Sequence, residues 1–170
     1  MNTSVCIEEW DETHTRWNEL RQFLDAQGQT RWAEIEAEWH LSNHRLIALR
    51  NGQITGFLRF ITQTIGIEED HEPVTLNNIP LIEAKVLAFG VEPTYRNQDI
   101  GRSLQEAGIR LATQYGCYQL RSHSSGDNEA NHHLKLSMGF AVHPVVRDDD
   151  TRGVYFIMPL MTETMENPKQ

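Results

Sequence analysis

Lysine is almost missing from this chain of 170 residues: Lys85, Lys135 and Lys169 are the only ones. With 15 Lys and Arg against 24 Asp and Glu, the formal net charge is −9. That excludes the cationic surplus needed by non-specific nucleic-acid binders and by polybasic membrane anchors. Two cysteines, Cys6 and Cys117, are too few for a disulfide scaffold and fit a reducing compartment, so a cytoplasmic location is expected. No apolar run of about 18 residues occurs, so no transmembrane helix is expected. The opening MNTSVCIEEWDE has neither the basic start nor the apolar centre of a secretory signal. Phosphate-loop and Gly-x-Gly-x-x-Gly patterns are absent, as are His-Glu-x-x-His and paired-cysteine metal patterns. No metal site is therefore expected; His40, His44, His132 and His133 read as surface or capping residues. A triad drawn from His123, Ser124 and Asp127 has only proximity in sequence behind it.

What remains is an ordinary globular composition, with 39% hydrophobic and 23% charged residues. No repeat, low-complexity tract or linker divides the chain, so residues 1–170 read as one domain. The acidity is lopsided. Residues 1–80 hold thirteen acids against six arginines, −7, and the remainder sums to −2. An anion site is therefore expected in the second half.

Periodicity lays out an α/β chain. Ser4–Ile7 reads as a strand. Trp17, Leu20 and Leu24 mark a helix from Thr13 that Gly28 stops. Thr30 can cap a second helix carrying Trp32, Ile35 and Trp39. The Trp17, Trp32 and Trp39 set is expected in the core. His44–Arg50 and Gln53–Thr62 are strands joined by Asn51-Gly52, a strong hairpin signal because both residues tolerate positive φ. Residues 63–80 look irregular and acidic, a loop long enough to be functional or mobile. Glu83–Val91 is a strand whose apolar run predicts burial on both faces. Ile100–Tyr115 is a helix with Ile100, Leu104, Ala107 and Leu111 on one side, stopped by Gly116. Tyr118–Ser122 is a strand. Asp127 or Asn128 caps a short helix with Ala130, Leu134 and Met138 on one face, and Gly139 stops it. Phe140–Val146 and Val154–Leu160 are strands around the turn Asp148-Asp149-Asp150. Cys117 reads as a buried small residue.

The chemistry concentrates in Phe89-Gly90-Val91-Glu92-Pro93-Thr94-Tyr95-Arg96-Asn97-Gln98-Asp99-Ile100-Gly101-Arg102-Ser103. A strand runs through a polar turn into a helix N-terminus, where unpaired N–H groups and the helix dipole favour an anion. Gly101 lets a phosphate approach the backbone. Arg96 and Arg102 add cationic donors and Ser103 a hydroxyl.

These residues resemble the GNAT superfamily of N-acetyltransferases, whose signature is Val-x-Pro-x-x-Arg-x-x-Gly-x-Gly at the start of a long helix. Here Val91-Glu92-Pro93-Thr94-Tyr95-Arg96-Asn97-Gln98-Asp99-Ile100-Gly101 takes that place. A second family stretch, ending in Gly-Phe, matches Asn128-Glu129-Ala130-Asn131-His132-His133-Leu134-Lys135-Leu136-Ser137-Met138-Gly139-Phe140. The resemblance implies a mixed, mostly antiparallel sheet of about seven strands with about four helices, and covers nearly the whole chain. It implies acetyl-CoA as co-substrate and acetyl transfer to a small-molecule or peptide amine, with a homodimer possible. Phe89 and Val91 would bond the pantetheine arm through their backbone, and a bulge at Phe89-Gly90-Val91 would free an N–H for the oxyanion. The amides of residues 97–103 would take the pyrophosphate, and Asn128 would lie near the thioester.

Two positions depart from the family pattern. Asp99 stands at the first glycine of the turn; it tolerates positive φ, but its carboxylate repels a pyrophosphate unless it points away or pairs with Arg102. Lys135 stands where the family usually has the tyrosine that protonates the thiolate, and an ammonium could donate instead. For the general base the first candidate is Glu83, on the Val91 strand and in phase with Lys85, Leu87 and Phe89; an edge-of-strand surface charge is the alternative for it. The second is His123, since an imidazole titrates near neutrality; a solvated loop position is the alternative for it. A second function fits the two departures: a weak or inactive GNAT-fold domain that binds CoA or another ligand as a regulatory or interaction module. The −7 of the first half points to a cationic amine as acceptor.

Overall fold

The computed structural model describes residues 4–146 and 149–160. In chain order its elements are β1 (Cys6–Glu9), α1 (Trp17–Ala26), α2 (Thr30–Glu34), β2 (Ser42–Arg50), β3 (Gln53–Thr64), β4 (Thr75–Leu76), β5 (Ile79–Pro80), β6 (Ile82–Val91), α3 (Ile100–Gln114), β7 (Gln119–Ser125), α4 (Glu129–Ser137), β8 (Ala141–Val146) and β9 (Arg152–Pro159). Seven strands form one sheet in the order β1-β2-β3-β6-β7-β9-β8, mostly antiparallel, and β4 pairs with β5 separately. Contacts gather into two units, Met1–Ile61 with Leu87–Arg110, and Thr62–Val86 with Leu111–Gln170.

In the first unit, β1 runs antiparallel to β2, from Cys6 opposite Leu49 to Glu9 opposite Leu46. Asn51 (φ 52) and Gly52 (φ 74) turn β2 into β3, as the hairpin signal predicts. Leu20 and Leu24 of α1 bury with Ile47, Leu49, Ile54 and Phe57, each side chain stabilising the fold by about 1.5–3 kcal/mol.

The second helix is shorter than its periodicity predicts. It ends at Glu34, and Ile35 is extended at φ −58, ψ 132. The cause lies far off in sequence. Arg59, 1% exposed on β3, donates to the carbonyls of Trp32 (2.7 Å) and Ile35 (2.6 Å) and to Asn43 Oδ1 (3.0 Å). The guanidinium supplies donors that another helical turn would have had to supply. Burial, with Arg45 nearby, pushes its pKa down to about 10. Trp32 and Trp39 consequently stay exposed, at 40% and 46%, and are not core. Of the three tryptophans only Trp17 packs on the core cluster. His44, read as a surface or capping residue, is buried on β2 instead.

In the second unit, β7 pairs parallel with β6 from Glu83–Gln119 to Val86–Ser122, and antiparallel with β9 from Gln119–Pro159 to Ser125–Gly153. His123 lies inside β7 opposite Tyr155, so it is not the loop histidine the shorter predicted strand allowed. Residues 63–80 are also more ordered than their composition predicts. β3 continues to Thr64, a 3-10 turn spans Ile67–Glu69, and Asn77 and Asn78, both at positive φ, close the β4–β5 hairpin. Asn128 caps α4 by accepting from the Asn131 amide. The face expected to be apolar on α4 is not its buried one: Ala130 is exposed, and the buried residue is Lys135. Cys117 is buried as expected, and burial, with Glu83 adding to it, pushes its thiol up to about 12. Asp148 of the acidic turn lies outside the described residues; Asp149 caps the Thr151 amide and Asp150 has φ 60.

Strand β6 is buried on one face rather than two. Ala84, Val86 and Ala88 are buried, while Leu87, Phe89 and Val91 are half-buried. Glu83 is the exception on the second face, at 1% exposure.

Candidate functional site

The β6–α3 connection in the first unit is built by close backbone approach. A Cβ on Gly56 would meet the Gly90 carbonyl and Leu104 Cδ1, each at 3.0 Å, and one on Gly90 would meet Phe57 at 3.0 Å. The Glu92 amide bonds Thr55 O at 2.9 Å, and its carboxylate accepts from the Thr94 amide and hydroxyl. Pro93–Tyr95 makes a 3-10 turn. Asn97 (φ 59) and Asp99 (φ 61) then adopt the left-handed conformation that Asn and Asp tolerate, so the turn forms without the family's first glycine.

Buried Ile100 and Leu104 anchor the start of α3. Arg96, Asn97, Gln98 and Asp99 are exposed, while Gly101, Arg102 and Ser103 are half-buried. Several of these side chains already serve the turn. Arg96 Nε reaches Val91 O at 3.4 Å. Gln98 donates to Thr94 O and accepts from Arg50. Ser103 gives both its amide (2.9 Å) and its hydroxyl (3.0 Å) to Asp99 O, so that hydroxyl is committed within the turn. As at any helix start, the first N–H groups lack intrahelical acceptors, and the 15-residue α3 adds its dipole.

In the second unit, strand alternation brings Glu83, Lys85, Arg121, His123 and Tyr155 to one face. Both Glu83 oxygens are occupied. Gln63 donates at 3.0 Å, Gln119 at 2.8 Å, and Arg121 through Nε and Nη2, the latter at 2.7 Å. Arg121 also pairs with Glu68 at 2.8 Å and lies 4.6 Å from the Tyr155 ring centre. Burial works against that guanidinium, but Glu83 and Glu68 outweigh it and raise its pKa above the ordinary value. Glu68 is likewise desolvated, yet Lys85 and Arg121 hold its carboxyl below the usual range. The segment around the 3-10 turn is thus tied to β6 and β7 by ion pairs.

His123 meets Tyr155 edge-on at 5.5 Å, and a Cβ on Gly153 would fall 2.5 Å from its Nε2. Lys135 is 1% exposed, with Nζ 4.8 Å from the Phe140 ring centre. Burial pushes its ammonium down to about 7. Asn128 is exposed at the head of α4.

Sequence reasoning did not reach Gln63, Glu68, Gln119 or Arg121 and could not place Tyr155. Strand alternation puts Arg121 and Tyr155 in phase with Glu83 and His123 only once the pairing register is known.

The family model for the acetyltransferase (GNAT) family matches residues 5–140. The chain belongs to the GNAT acetyltransferase family. Solved structures agree on the fold. Arabidopsis thaliana NAA60 with a bisubstrate analogue aligns at TM-score 0.67 and 13% identity, over 92% of this chain and 98% of that one. The same protein with acetyl-CoA gives TM-score 0.68 and 13% identity, over 92% and 98%. The ribosomal-protein-S18-alanine N-acetyltransferase of Escherichia coli gives 0.64 and 22%, over 98% and 100%. No curated protein sequence matches this GNAT chain. Among its described residues, no helix is long and apolar enough to cross a membrane.

Proposed function

We propose that this GNAT chain is an acetyl-CoA-dependent N-acetyltransferase that moves the acetyl group to a primary amine by direct attack. The observation that carries it is the β6–α3 connection. Two left-handed residues deliver the chain to the start of a long helix, whose dipole favours an anion there. On this reading Arg96, Asn97, Gln98, Asp99, Ile100, Gly101 and Arg102 hold the pyrophosphate, chiefly by backbone amides, while Ser103, whose amide and hydroxyl both bond Asp99 O, closes the turn. Phe89, Gly90 and Val91 bond the pantetheine arm through their backbone, and Asn128 lies near the thioester.

The amine nitrogen attacks the thioester carbonyl, the C–N bond forms, and the thiolate leaves. Holding both reactants in register supplies much of the acceleration. A base must take the proton of the attacking ammonium. His123, half-buried on the face that also carries Tyr155, suits that task. Glu83 has both oxygens occupied, so in the proposal it holds Arg121 and Gln119 and reaches a proton only through water. Lys135, with a pKa near neutrality, can protonate the departing thiolate.

The acceptor proposed is a cationic small molecule or peptide. Glu36 and Glu38 are exposed in the acidic first half and belong to no ion pair among the described residues.

The test is CoA release from acetyl-CoA across a panel of amines. Turnover that favours polyamines and basic peptides supports the proposal. Better turnover on neutral or acidic amines overturns the cationic acceptor. CoA bound tightly with no turnover on any amine replaces the enzyme by the second reading, a CoA-binding regulatory module, which the occupied Glu83 and the acidic Asp99 favour. Absence of CoA binding overturns both.

A further inference from the structure

A serine, a histidine and a glutamate stand in relay at the β1–β2 edge of the first unit. Ser42 and His44 are two apart on β2 and so share a face. Glu9 on β1 opposes Leu46, which puts it diagonal to His44 on that same face. Ser42 Oγ lies 2.9 Å from His44 Nε2, and His44 Nδ1 lies 2.6 Å from Glu9 Oε1. The imidazole is 3% exposed and stacked on Phe60, with ring centres 4.7 Å apart and planes 24° from parallel. Its orientation is therefore set by packing as well as by hydrogen bonds. The Glu9 carboxylate fixes the tautomer with the proton on Nδ1, leaving Nε2 to accept from the serine hydroxyl. Both outer ends reach the surface: the Glu9 side chain is 44% exposed, and Ser42 is half-buried next to exposed Leu41.

We propose that Ser42 is an activated nucleophile, with His44 as its base and Glu9 as the group that orients the imidazole, and that it is acylated by activated esters. This constellation is recognised by geometry and roles, not by the fold that carries it. In the step, Ser42 Oγ forms a bond to the ester carbonyl carbon and its proton passes to His44 Nε2. The carbonyl carbon's bond to the leaving oxygen breaks, and the alcohol departs as its anion. The imidazolium then gives that proton to water, and the acyl group stays on Ser42 Oγ. Nucleophile, base and orienting group are what the site offers, so its substrates are esters with stable leaving anions, for which departure needs no acid. The site is separate from the β6–α3 connection and does not depend on the acetyl-CoA reading.

The experiment treats the full chain with p-nitrophenyl acetate and follows p-nitrophenolate release, with peptide mapping by mass spectrometry to locate acetylated residues. Acetylation of Ser42 is expected, at a rate about 100-fold or more above that of other serines, the lower range for a positioned base. S42A should abolish that adduct. E9Q should slow it at least about 10-fold, while the thermal midpoint of E9Q, measured alongside, identifies any loss from unfolding. Ser42 unlabelled in the folded wild-type protein overturns the proposal. So does labelling of Ser42 that is as fast in folded E9Q as in wild type, because the relay would then contribute nothing.

Discussion

Replacing Lys135 by Met should stabilise the protein at neutral and acid pH and do little in alkali. Lys135 is 1% exposed, and burial takes its ammonium from 10.5 down to about 7. Between those values the unfolded chain holds a proton that the folded chain does not. Stability attributable to this group therefore falls as pH drops from about 10.5 to about 7. Below 7 both states are protonated and the cost is constant. Separating the two pKa values by about 3.5, at about 1.36 kcal/mol each, gives a cost of about 5 kcal/mol at pH 6. By the same relation it is about 4 kcal/mol at pH 7 and about 1 kcal/mol at pH 10. Methionine is close in length, apolar and uncharged, so it removes the cost without opening a cavity. Losing the Phe140 contact offsets part of the gain. Urea denaturation of wild type and K135M at pH 6, 8 and 10 gives the difference directly, and subtraction removes the titration of every other group. The stability advantage of K135M should shrink by about 3 kcal/mol or more between pH 6 and pH 10. An advantage that does not change with pH refutes the reasoning, because Lys135 would then keep its ordinary pKa in the folded protein.

Other substitutions test separate links. R59M leaves the Trp32 and Ile35 carbonyls and the Asn43 amide oxygen without their donor; a loss of about 3 kcal/mol in denaturant is expected, and a loss under about 1 kcal/mol would show that solvent replaces the guanidinium. G56A drives a Cβ to 3.0 Å from both Gly90 O and Leu104 Cδ1, whereas G126A meets nothing within 4 Å; G56A should lose about 1–3 kcal/mol and G126A stay near neutral, and equal effects would contradict the tight β3–β6 approach. D99G removes a carboxylate from the turn before α3. Calorimetric titration should show tighter CoA binding if that charge faces the pyrophosphate, and unchanged affinity would mean that it points away.

What was legible in the sequence was local. Asn51-Gly52, Gly116, Gly139 and the Asn128 cap work within a few residues, and the long apolar pattern of α3 needs no partner to declare itself. The Asn77-Asn78 turn was readable by the same logic, since both residues take positive φ, but the acidic flanks masked it. The failures were non-local. Trp32, Ile35 and Trp39 keep helical spacing, yet Arg59 captures the carbonyls at 32 and 35 from 24–27 positions away. Glu83 was found by strand phase, but its environment comes from Gln63, Gln119 and Arg121 on other strands. The bulk acidity of the first half also overstates what an acceptor would meet, because Glu9, Glu12, Glu19, Glu34 and Glu68 pair within the chain.

The central claim is that the β6–α3 connection is where acetyl-CoA binds. Hydrogen–deuterium exchange of the backbone amides with and without acetyl-CoA tests it most directly. The account predicts slower exchange on ligand addition across residues 97–103, centred on the exposed turn before Ile100. Acetyl-CoA that binds while exchange across 97–103 stays unchanged would contradict it.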